Sequence, residues 1–336
     1  MCQMNLSRVS VLSDQNIFVQ MDKFVDYTPL TTKQAARLIH VHESSVKRWC
    51  REGLLPFDVT DGGHRRIALK DLLDFAARRK ITCSISKFPD SYREVWRGLR
   101  GAQSRKNYDI LCRLAYAWLT NPANDLFDEL IRFCLEQNLP FEEVFDDVIA
   151  RALRKMGSAW QNNELNIGIE HYATERIRDV MHKVRIENER SANAANGQSS
   201  FTRKPLAVVG CNAGNQHDIG AFAIRIILEQ KGWETIYLGS NVPANDFGIL
   251  QARHSAQLVC ISFVSQSIMS ESERFVDLLA RFYDPNHPYH LAIGSQTFPV
   301  DASNRLRRSP FLGVNTYKST LSFNQWLDSH PVSVNA

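Results

Sequence analysis

The sequence predicts a multidomain α and α/β protein, because three segments of it differ in charge and in hydrophobic periodicity. Residues 28–80 are basic and combine short helical patterns with a β-hairpin signal, whereas residues 103–188 repeat apolar positions three and four apart. Residues 204–330 alternate short apolar strands with helices. A chain of 336 residues with 44% hydrophobic and 23% charged residues has enough material for two or three globular domains.

The composition also bears on where the protein works. No apolar run approaches the roughly 18 to 20 residues that cross a bilayer, and the N-terminus lacks the pattern of a secretory signal. The seven cysteines are scattered without a close pair, which argues against a disulfide framework and a structural zinc site. We therefore expect a cytoplasmic protein with reduced thiols and no membrane partner.

The first segment holds most of the positive charge. Residues 30–80 contain 11 Lys and Arg against 6 Asp and Glu, a net charge of +5, while the whole chain carries +4. Thr31 or Thr32 is placed to cap a first helix, and residues 44–52 form a second helix that Gly53 ends. The charge pattern indicates an anionic partner for this segment alone.

A hairpin follows these helices at Asp61-Gly62-Gly63, and a third helix is predicted over 71–79. A helix of this size fits the major groove, and arginines on a hairpin reach phosphates or the minor groove, so we expect double-stranded DNA as the partner. The alternative is a small helical bundle with a solvated basic surface. The stretch resembles the winged helix-turn-helix of MerR-type regulators. The residues expected to contact DNA are Ser45, Lys47, Arg48, Arg51, His64, Arg65 and Arg66.

The middle segment predicts a four-helix bundle over 103–188, preceded by a linker with one short helix near 92–99. Breaks are expected at Leu139-Pro140 and at Gly157, and a flexible connector at 187–204. Within the bundle, Trp160 ends one helix, and the adjacent pair Glu170 and His171 lies in the next helix. A partly exposed pair near the end of a bundle is the simplest interpretation of these two residues alone.

The third segment predicts a doubly wound parallel sheet of the Rossmann-like type. Nearly continuous apolar strands joined by helices are typical of a sheet covered on both faces, and such sheets bind ligands at the carboxyl ends of their strands. The predicted strands are 206–210, 234–239, 257–263, 290–294 and 310–314, and the predicted helices are 219–231, 243–254 and 270–282.

His217 lies at that edge, in the stretch GNQHDIG, with Gly214 and Gly220 on either side of it. Glycines free the backbone and let a bulky group approach while the imidazole projects from the loop. The residues by themselves leave three roles open for His217: a helix cap, a catalytic base or a metal ligand.

The same region resembles the cobalamin-binding domain, whose signature is Asp-x-His-x-x-Gly, then Ser-x-Leu, then Gly-Gly. The corresponding residues here are Asn215, His217 and Gly220, then Ser262 and Val264, then Gly294 and Ser295. The resemblance implies that His217 ligates cobalt from below and that the serine and glycines line a slot for the detached nucleotide tail. It also implies that Trp160, Glu170 and His171 cover the upper face of the corrin, with Glu170 accepting hydrogen bonds from an adenosyl ribose.

Three positions depart from the family pattern. Asn215 stands where a carboxylate orients the histidine, and an amide oxygen polarises the ring less. Ser295 replaces the second glycine, and its side chain is expected to crowd the nucleotide tail. Gln161 stands where related regulators can carry a second histidine after the tryptophan, and we assign neither His171 nor His182 to that role.

In their order, the three segments resemble the CarH/LitR class of cobalamin-dependent MerR-family transcriptional regulators. The resemblance implies a non-enzymatic repressor and photoreceptor. It also implies that adenosylcobalamin supports a homo-oligomer, a dimer or tetramer, on operator DNA in the dark, and that light releases the DNA. Open alternatives are a light-independent cobalamin- or haem-sensing regulator, a corrinoid carrier subunit of a methyltransferase system, or a C-terminal domain that has lost its ligand and only oligomerises.

Overall fold

The computed structural model describes residues 29–195, 204–264, 267–307 and 310–330. The chain divides into two compact units between Ser86 and Lys87. Within the described ranges, no helix has the length and apolar character that crossing a lipid bilayer requires.

The N-terminal unit contains three helices and a small antiparallel sheet. The elements in chain order are β1 (Leu30–Thr31), α1 (Thr32–Leu38), α2 (Glu43–Arg51), β2 (Asp58–Val59), β3 (Arg65–Ile67), α3 (Leu69–Arg79) and a 3-10 turn (Ser84–Lys87). The hairpin and the three helices were predicted. Strand β1 was not, and its pairing with β3 gives the strand order β1-β3-β2.

The start of α1 explains why the chain turns from strand to helix at Thr31. The Thr31 hydroxyl accepts a hydrogen bond from the Gln34 backbone N–H, and the Gln34 side chain accepts one from the Thr31 N–H. This reciprocal capping box satisfies two donors that a helix start leaves without partners. The Thr32 hydroxyl donates to Glu43 over 2.6 Å, which joins the starts of α1 and α2.

The helical part of the second unit is larger than predicted. It contains α4 (Tyr92–Arg105), α5 (Asp109–Leu119), α6 (Leu126–Glu136), α7 (Phe141–Val144), a π-helical turn (Phe145–Ile149), α8 (Ala150–Gln161) and α9 (Ile167–Ala195). Periodicity predicted four helices in this part, and they correspond to α5, α6, α8 (with α7 and the π turn) and α9.

Three expectations for this part were wrong. The short helix expected near 92–99 within a linker is a longer, 14-residue helix, α4, that buries Val95 and Leu99. Gly98 of this helix permits close packing, because a Cβ at this position would come within 2.8 Å of the Leu111 side chain. Gly157 lies inside α8 and does not break it. Helix α9 continues through the first half of the expected flexible connector to residue 195, and residues 196–203 lie outside the described ranges.

The α/β part has the predicted parallel sheet. Its elements are β4 (Leu206–Asn212), α10 (Ile219–Gln230), β5 (Glu234–Val242), α11 (Ala244–His254), β6 (Leu258–Ser262), α12 (Ile268–Ala280), β7 (His290–Gly294), α13 (Ala302–Leu306), β8 (Gly313–Tyr317) and α14 (Thr320–Ser329). The strand order is β5-β4-β6-β7-β8, and every pairing is parallel.

Helices cover both faces of this sheet, as the near-continuous apolar strands predict. Helices α11, α12 and α13 lie on one face, where Phe247, Phe275 and Tyr289 are buried in the core. Helices α10 and α14 lie on the other face and contact the bundle. Strand β8 begins three residues later than predicted and includes polar Asn315 and Thr316, which is possible because an edge strand has one neighbour only.

Candidate functional site

The second helix of the N-terminal unit presents a row of basic side chains to solvent. Lys47, Arg48 and Arg51 are exposed, whereas Val46 and Cys50 on the opposite side of α2 are buried. Lys47 forms an ion pair with Glu43 over 3.1 Å. The buried residues pack α2 against the rest of the unit, and its exposed basic side chains are accessible to a polyanion.

The hairpin between β2 and β3 adds further cations beside this helix. Gly63 has a φ of +75°, the left-handed conformation that the tight turn requires and that glycine adopts without strain. His64 is exposed, and Arg65 and Arg66 are half-buried, with the Arg65 guanidinium 5.4 Å from the centre of the Phe57 ring. Ser45 is half-buried on α2.

A cavity of about 850 Å³ lies between the bundle and the carboxyl edge of the parallel sheet. The bundle contributes Phe145, Leu153 and Glu170 to its wall, and the sheet contributes the ends of β6, β7 and β8. The His217 loop forms the part of the wall between them. The position agrees with the general rule that parallel sheets bind ligands beyond the carboxyl ends of their strands.

The His217 imidazole is exposed at this cavity and is not packed into the core. The loop that carries it follows β4, and Gly214 there has a φ of +83°, which turns the chain back toward the sheet. The Gly214 N–H donates to the Asn241 side chain over 2.8 Å, so the neighbouring strand fixes the turn.

Asn215 holds this loop through the backbone. Its amide oxygen accepts from the His217 backbone N–H over 2.9 Å, and its amide nitrogen donates to the Ser262 carbonyl over 3.0 Å. The sequence suggested that this amide takes the place of a carboxylate that orients the imidazole. The structure differs, because the amide oxygen bonds to the backbone N–H of His217.

The carboxylate of this loop is Asp218, immediately after the histidine. Arg178 of α9 donates two hydrogen bonds to it, over 2.9 and 2.8 Å, and the Tyr237 hydroxyl donates a third over 3.1 Å. Burial alone raises the pKa of Asp218, but the Arg178 guanidinium and the Tyr237 hydroxyl outweigh it and hold the pKa below its usual value. The bundle is thereby ionically joined to the residue next to His217.

Small residues line the cavity beside the histidine loop. A Cβ on Gly220 would lie 3.7 Å from the Ser262 hydroxyl and one on Gly294 would lie 3.8 Å from the Ile261 carbonyl, so that a methyl group at either position would make an ordinary contact with the protein. Val264 lines the cavity and is largely exposed. Ser295 also lines it, with its hydroxyl 3.1 Å from that of Thr297.

The structure separates the three residues assigned to the upper wall. Glu170 lines the cavity and accepts a hydrogen bond from Thr174 over 3.1 Å. Trp160 is 47% exposed and His171 is exposed, and neither of them lines the cavity. On the bundle side, the wall instead contains Phe145, Ala150 and Gly157, together with the exposed cation Arg154.

Sequence reasoning missed many of the residues that hold or line this site, and Arg178, Asp146 and Tyr317 are examples of them. The Asp146 carboxylate, in the π-helical turn, accepts from the backbone N–H groups of Thr320 and Leu321 over 3.1 and 2.9 Å. A π-helical turn is itself a frequent marker of functional sites. No local sequence pattern identifies these residues, because each acts across a long separation in the chain.

The wall of the cavity is mainly apolar, with a few polar groups and one exposed imidazole. This composition suits a large, mostly apolar disc that presents a metal to an imidazole. The residues present therefore fit a corrinoid, with the exposed imidazole of His217 as the candidate metal ligand.

Comparisons with known families agree with this fit. Residues 29–80 match the helix-turn-helix domain family, and residues 119–184 and 205–298 match two families that are both described as B12 binding domain. The chain therefore combines an N-terminal helix-turn-helix, a helical B12-binding cap and a Rossmann-like B12-binding domain with five parallel strands. This is the domain set of a cobalamin-binding helix-turn-helix regulator.

The chain is distantly homologous to MerR-type cobalamin regulators. It is 23% identical to the HTH-type transcriptional repressor CarH of Myxococcus xanthus, over 74% of this chain and 82% of CarH. It is 22% identical to the repressor CarA of the same organism, over 79% of this chain and 86% of CarA. The monomethylamine corrinoid protein of Methanosarcina barkeri has the same fold in its solved structure, with a TM-score of 0.51 and 14% identity, over 66% of this chain and 98% of that protein.

Proposed function

We propose that this protein is a transcriptional repressor whose binding to operator DNA depends on adenosylcobalamin in the cavity, with light as the signal. The observation that carries the proposal is the exposed imidazole of His217 at the cavity between the bundle and the sheet, in a chain that also has a helix-turn-helix domain. The relatives CarH and CarA, which are repressors, support the same function.

Each residue would have a role in cofactor binding that follows from its position in the cavity. His217 would ligate cobalt from below, with Asn215 holding its loop. Gly220, Ser262, Val264, Gly294 and Ser295 would surround the nucleotide tail. Glu170 would accept hydrogen bonds from the adenosyl ribose. The bound group would supply a cobalt–carbon bond that light can break.

Trp160 and His171 do not line the cavity wall. We propose that both residues contact the cofactor from the rim of the cavity, at its bundle end. Gln161 leaves the position after Trp160 without an imidazole. For the state after illumination we therefore propose that this chain supplies no second histidine to the cofactor, which would then either be held with water in that position or be lost.

For DNA binding we propose that Ser45, Lys47, Arg48 and Arg51 of α2 enter the major groove, and that His64, Arg65 and Arg66 of the hairpin contact the adjacent backbone. A single module of this size binds weakly, and several of them on one homo-oligomer, a dimer or a tetramer, gain affinity through effective concentration. A cofactor that favours the assembled state would therefore control occupancy of the operator.

The test is a paired measurement on the full chain reconstituted with adenosylcobalamin. We expect a shifted visible spectrum in darkness, an assembled species in sedimentation, and retardation of operator DNA that green light abolishes. Unchanged DNA binding after photolysis would reject light as the signal and leave a light-independent cobalamin regulator. An unshifted spectrum, with haem as a parallel trial ligand, would reject the cobalamin effector altogether.

A further inference from the structure

Helix α4 carries arginines along the side that it turns to solvent. Arg93 and Arg97 are exposed, and Arg100 is half-buried. Steps of four and three residues separate these arginines, which places all three on one side of the helix. The opposite side of α4 buries Val95 and Leu99 in the bundle. We call the three arginines the basic face of α4.

The surrounding structure does not neutralise the basic face. Glu94 is the one acidic residue of α4, and its carboxylate binds Arg113 of α5. Among the residues that the structure describes, neither Arg97 nor Arg100 has an ion-pair partner. The face therefore presents uncompensated positive charge to solvent.

This charge pattern is unfavourable for the helix itself. Arg93 is the second residue of α4, at the positive end of the helix dipole, where a carboxylate would be favoured. Like charges also repel at the spacings of three and four residues that separate Arg93, Arg97 and Arg100. Helix stability does not explain the basic face, whereas a polyanionic partner would offset the repulsion.

We propose that the basic face of α4 binds the phosphate backbone of the DNA duplex that the helix-turn-helix domain recognises, outside the bases that this domain reads. The inference rests on the DNA-binding part of the proposed function. Seven residues at 1.5 Å each place Arg93 and Arg100 about 10 Å apart along the helix. At 3.4 Å for each phosphate of one strand, this length matches about three phosphates.

The length of the connecting chain is compatible with one duplex for both elements. Twelve residues, 80–91, connect α3 to α4. A segment of this length extends over at most about 45 Å, which is more than one turn of B-DNA at roughly 34 Å. Backbone next to a recognised half-site is therefore within reach of α4. Because phosphate contacts carry no sequence information, we expect α4 to add affinity without adding specificity.

The test is a salt titration of DNA binding by the full chain with adenosylcobalamin in darkness. The probe is a fluorescein-labelled duplex of mixed sequence and about 40 base pairs, or four turns, because phosphate contacts do not require the operator sequence. Arg97→Gln combined with Arg100→Gln is expected to reduce the slope of log K against log salt by about 1.8, at 0.9 for each lost contact. Between about 200 and 50 mM salt, the affinity of the unsubstituted chain would then rise about twelvefold more than that of the variant.

The matched control removes the same charge elsewhere. Arg274 of α12 and Arg281 directly after it are exposed, and α12 covers the face of the sheet that is turned away from the bundle. Their joint substitution by glutamine is expected to leave the slope unchanged. Arg97→Lys combined with Arg100→Lys keeps both charges and is expected to retain most of the slope, since lysine also binds phosphate.

Thermal unfolding tests whether the arginines have a structural role instead. The glutamine variant of α4 is expected to unfold at no lower temperature than the unsubstituted chain, because the substitution removes repulsion between like charges. A lower unfolding temperature would show that the arginines stabilise the fold and would overturn the inference. A change in the sedimentation of the variant without DNA would also overturn it, because the basic face would then be a contact between copies of the chain.

The DNA titration separates the inference from the function on which it rests. Equal slopes for the glutamine variant of α4 and for the control would overturn binding of DNA by α4 and leave the helix-turn-helix domain as the contact surface. Failure of the unsubstituted chain to bind the duplex at low salt would overturn the proposed DNA-binding function itself. A slope that falls in the glutamine variant and returns in the lysine variant supports the inference.

Discussion

Arg178 binds Asp218 through two hydrogen bonds, and this ion pair connects the last helix of the bundle to the residue that follows His217. Both side chains are mainly buried, with exposed fractions of 29% and 11%. Tyr237 supplies a further hydrogen bond to the carboxylate. The position of the histidine loop is therefore coupled to the position of α9, and any rearrangement of the bundle acts directly on the loop of His217.

The first prediction concerns this pair. Arg178→Gln leaves the Asp218 carboxylate mainly buried without its cation, and we expect a loss of roughly 2 kcal/mol in the free energy of unfolding. Since the loop of His217 loses its tether, the axial ligation band of the reconstituted protein is also expected to weaken. Urea denaturation and the visible spectrum measure the two effects.

The control for this prediction lies on the same helix. Arg185 of α9 pairs with Glu229 over 2.6 Å at the far end of α10, so that Arg185→Gln removes a similar ion pair away from His217. It is expected to lower stability without changing the axial band. An equal spectral change in both variants would show that the Arg178 pair has no special relation to the histidine.

The second prediction gives the pH dependence of the same pair. Because the pKa of Asp218 is lower in the folded state than in the unfolded state, the pair contributes stability above the unfolded value of about 3.9 and loses that contribution as the pH falls through the folded value. The stability difference between the wild type and Arg178→Gln is therefore expected to be constant near neutral pH and to shrink on acidification, beginning above the usual carboxyl range because burial without the cation raises the pKa of Asp218 in the variant. A difference that grows on acidification would contradict the assignment.

The third prediction tests His217 directly. His217→Ala is expected to remove the axial band and to weaken adenosylcobalamin binding by at least about tenfold, since even the outer partners of metal ligands have effects of this size. His254→Ala is the control, because His254 is exposed on α11 on the other side of the sheet. A spectrum unaffected by the loss of His217 would exclude axial ligation by this residue.

The fourth prediction concerns the basic surface of α2. Arg48→Ala is expected to lower DNA affinity and to reduce the slope of log K against log salt by about 0.9 for each phosphate contact that is lost. Arg253→Ala removes an exposed arginine from α11 and serves as the control for net charge. If the two variants shift affinity alike, only overall charge matters and α2 is not the contact surface.

The sequence predicted the elements whose signals are local. Helix α10 and strand β7 were predicted to within one residue of their bounds, because apolar periodicity and the flanking turn residues define them. The hairpin before β3 was evident from its Asp-Gly-Gly turn. The placement of His217 at the carboxyl edge of the sheet followed from its position in the loop directly after the first predicted strand.

The errors arose where packing over long chain separations decides the structure. Strand β1 has two residues and exists only because β3 lies beside it. The glycines of α4 indicated a linker, whereas they permit a close helix contact. The C-terminal end of α9 is exposed and polar, and it has no apolar stripe from which a helix could be predicted. Helix propensity keeps it helical. Arg178 is 40 residues from its partner Asp218, and no short motif announces such a pair.

The last prediction concerns Asp146, which joins the bundle to the last helix of the sheet domain. The first two N–H groups of α14 bond to the Asp146 carboxylate, and the Ser319 hydroxyl accepts from the Ser322 backbone N–H over 3.1 Å. A side chain from a distant helix thus completes the cap of α14, and Asp146→Ala is expected to cost about 1 to 2 kcal/mol in the free energy of unfolding. Asp146→Asn keeps one acceptor oxygen and should lose less stability.

Asp147→Ala is the control for this prediction. It removes the neighbouring carboxylate, which lies 3.9 Å from Arg151, and should cost under about 1 kcal/mol in the free energy of unfolding. If chemical denaturation gives the same loss for both alanine variants, the cap does not stabilise the contact between the bundle and the sheet domain.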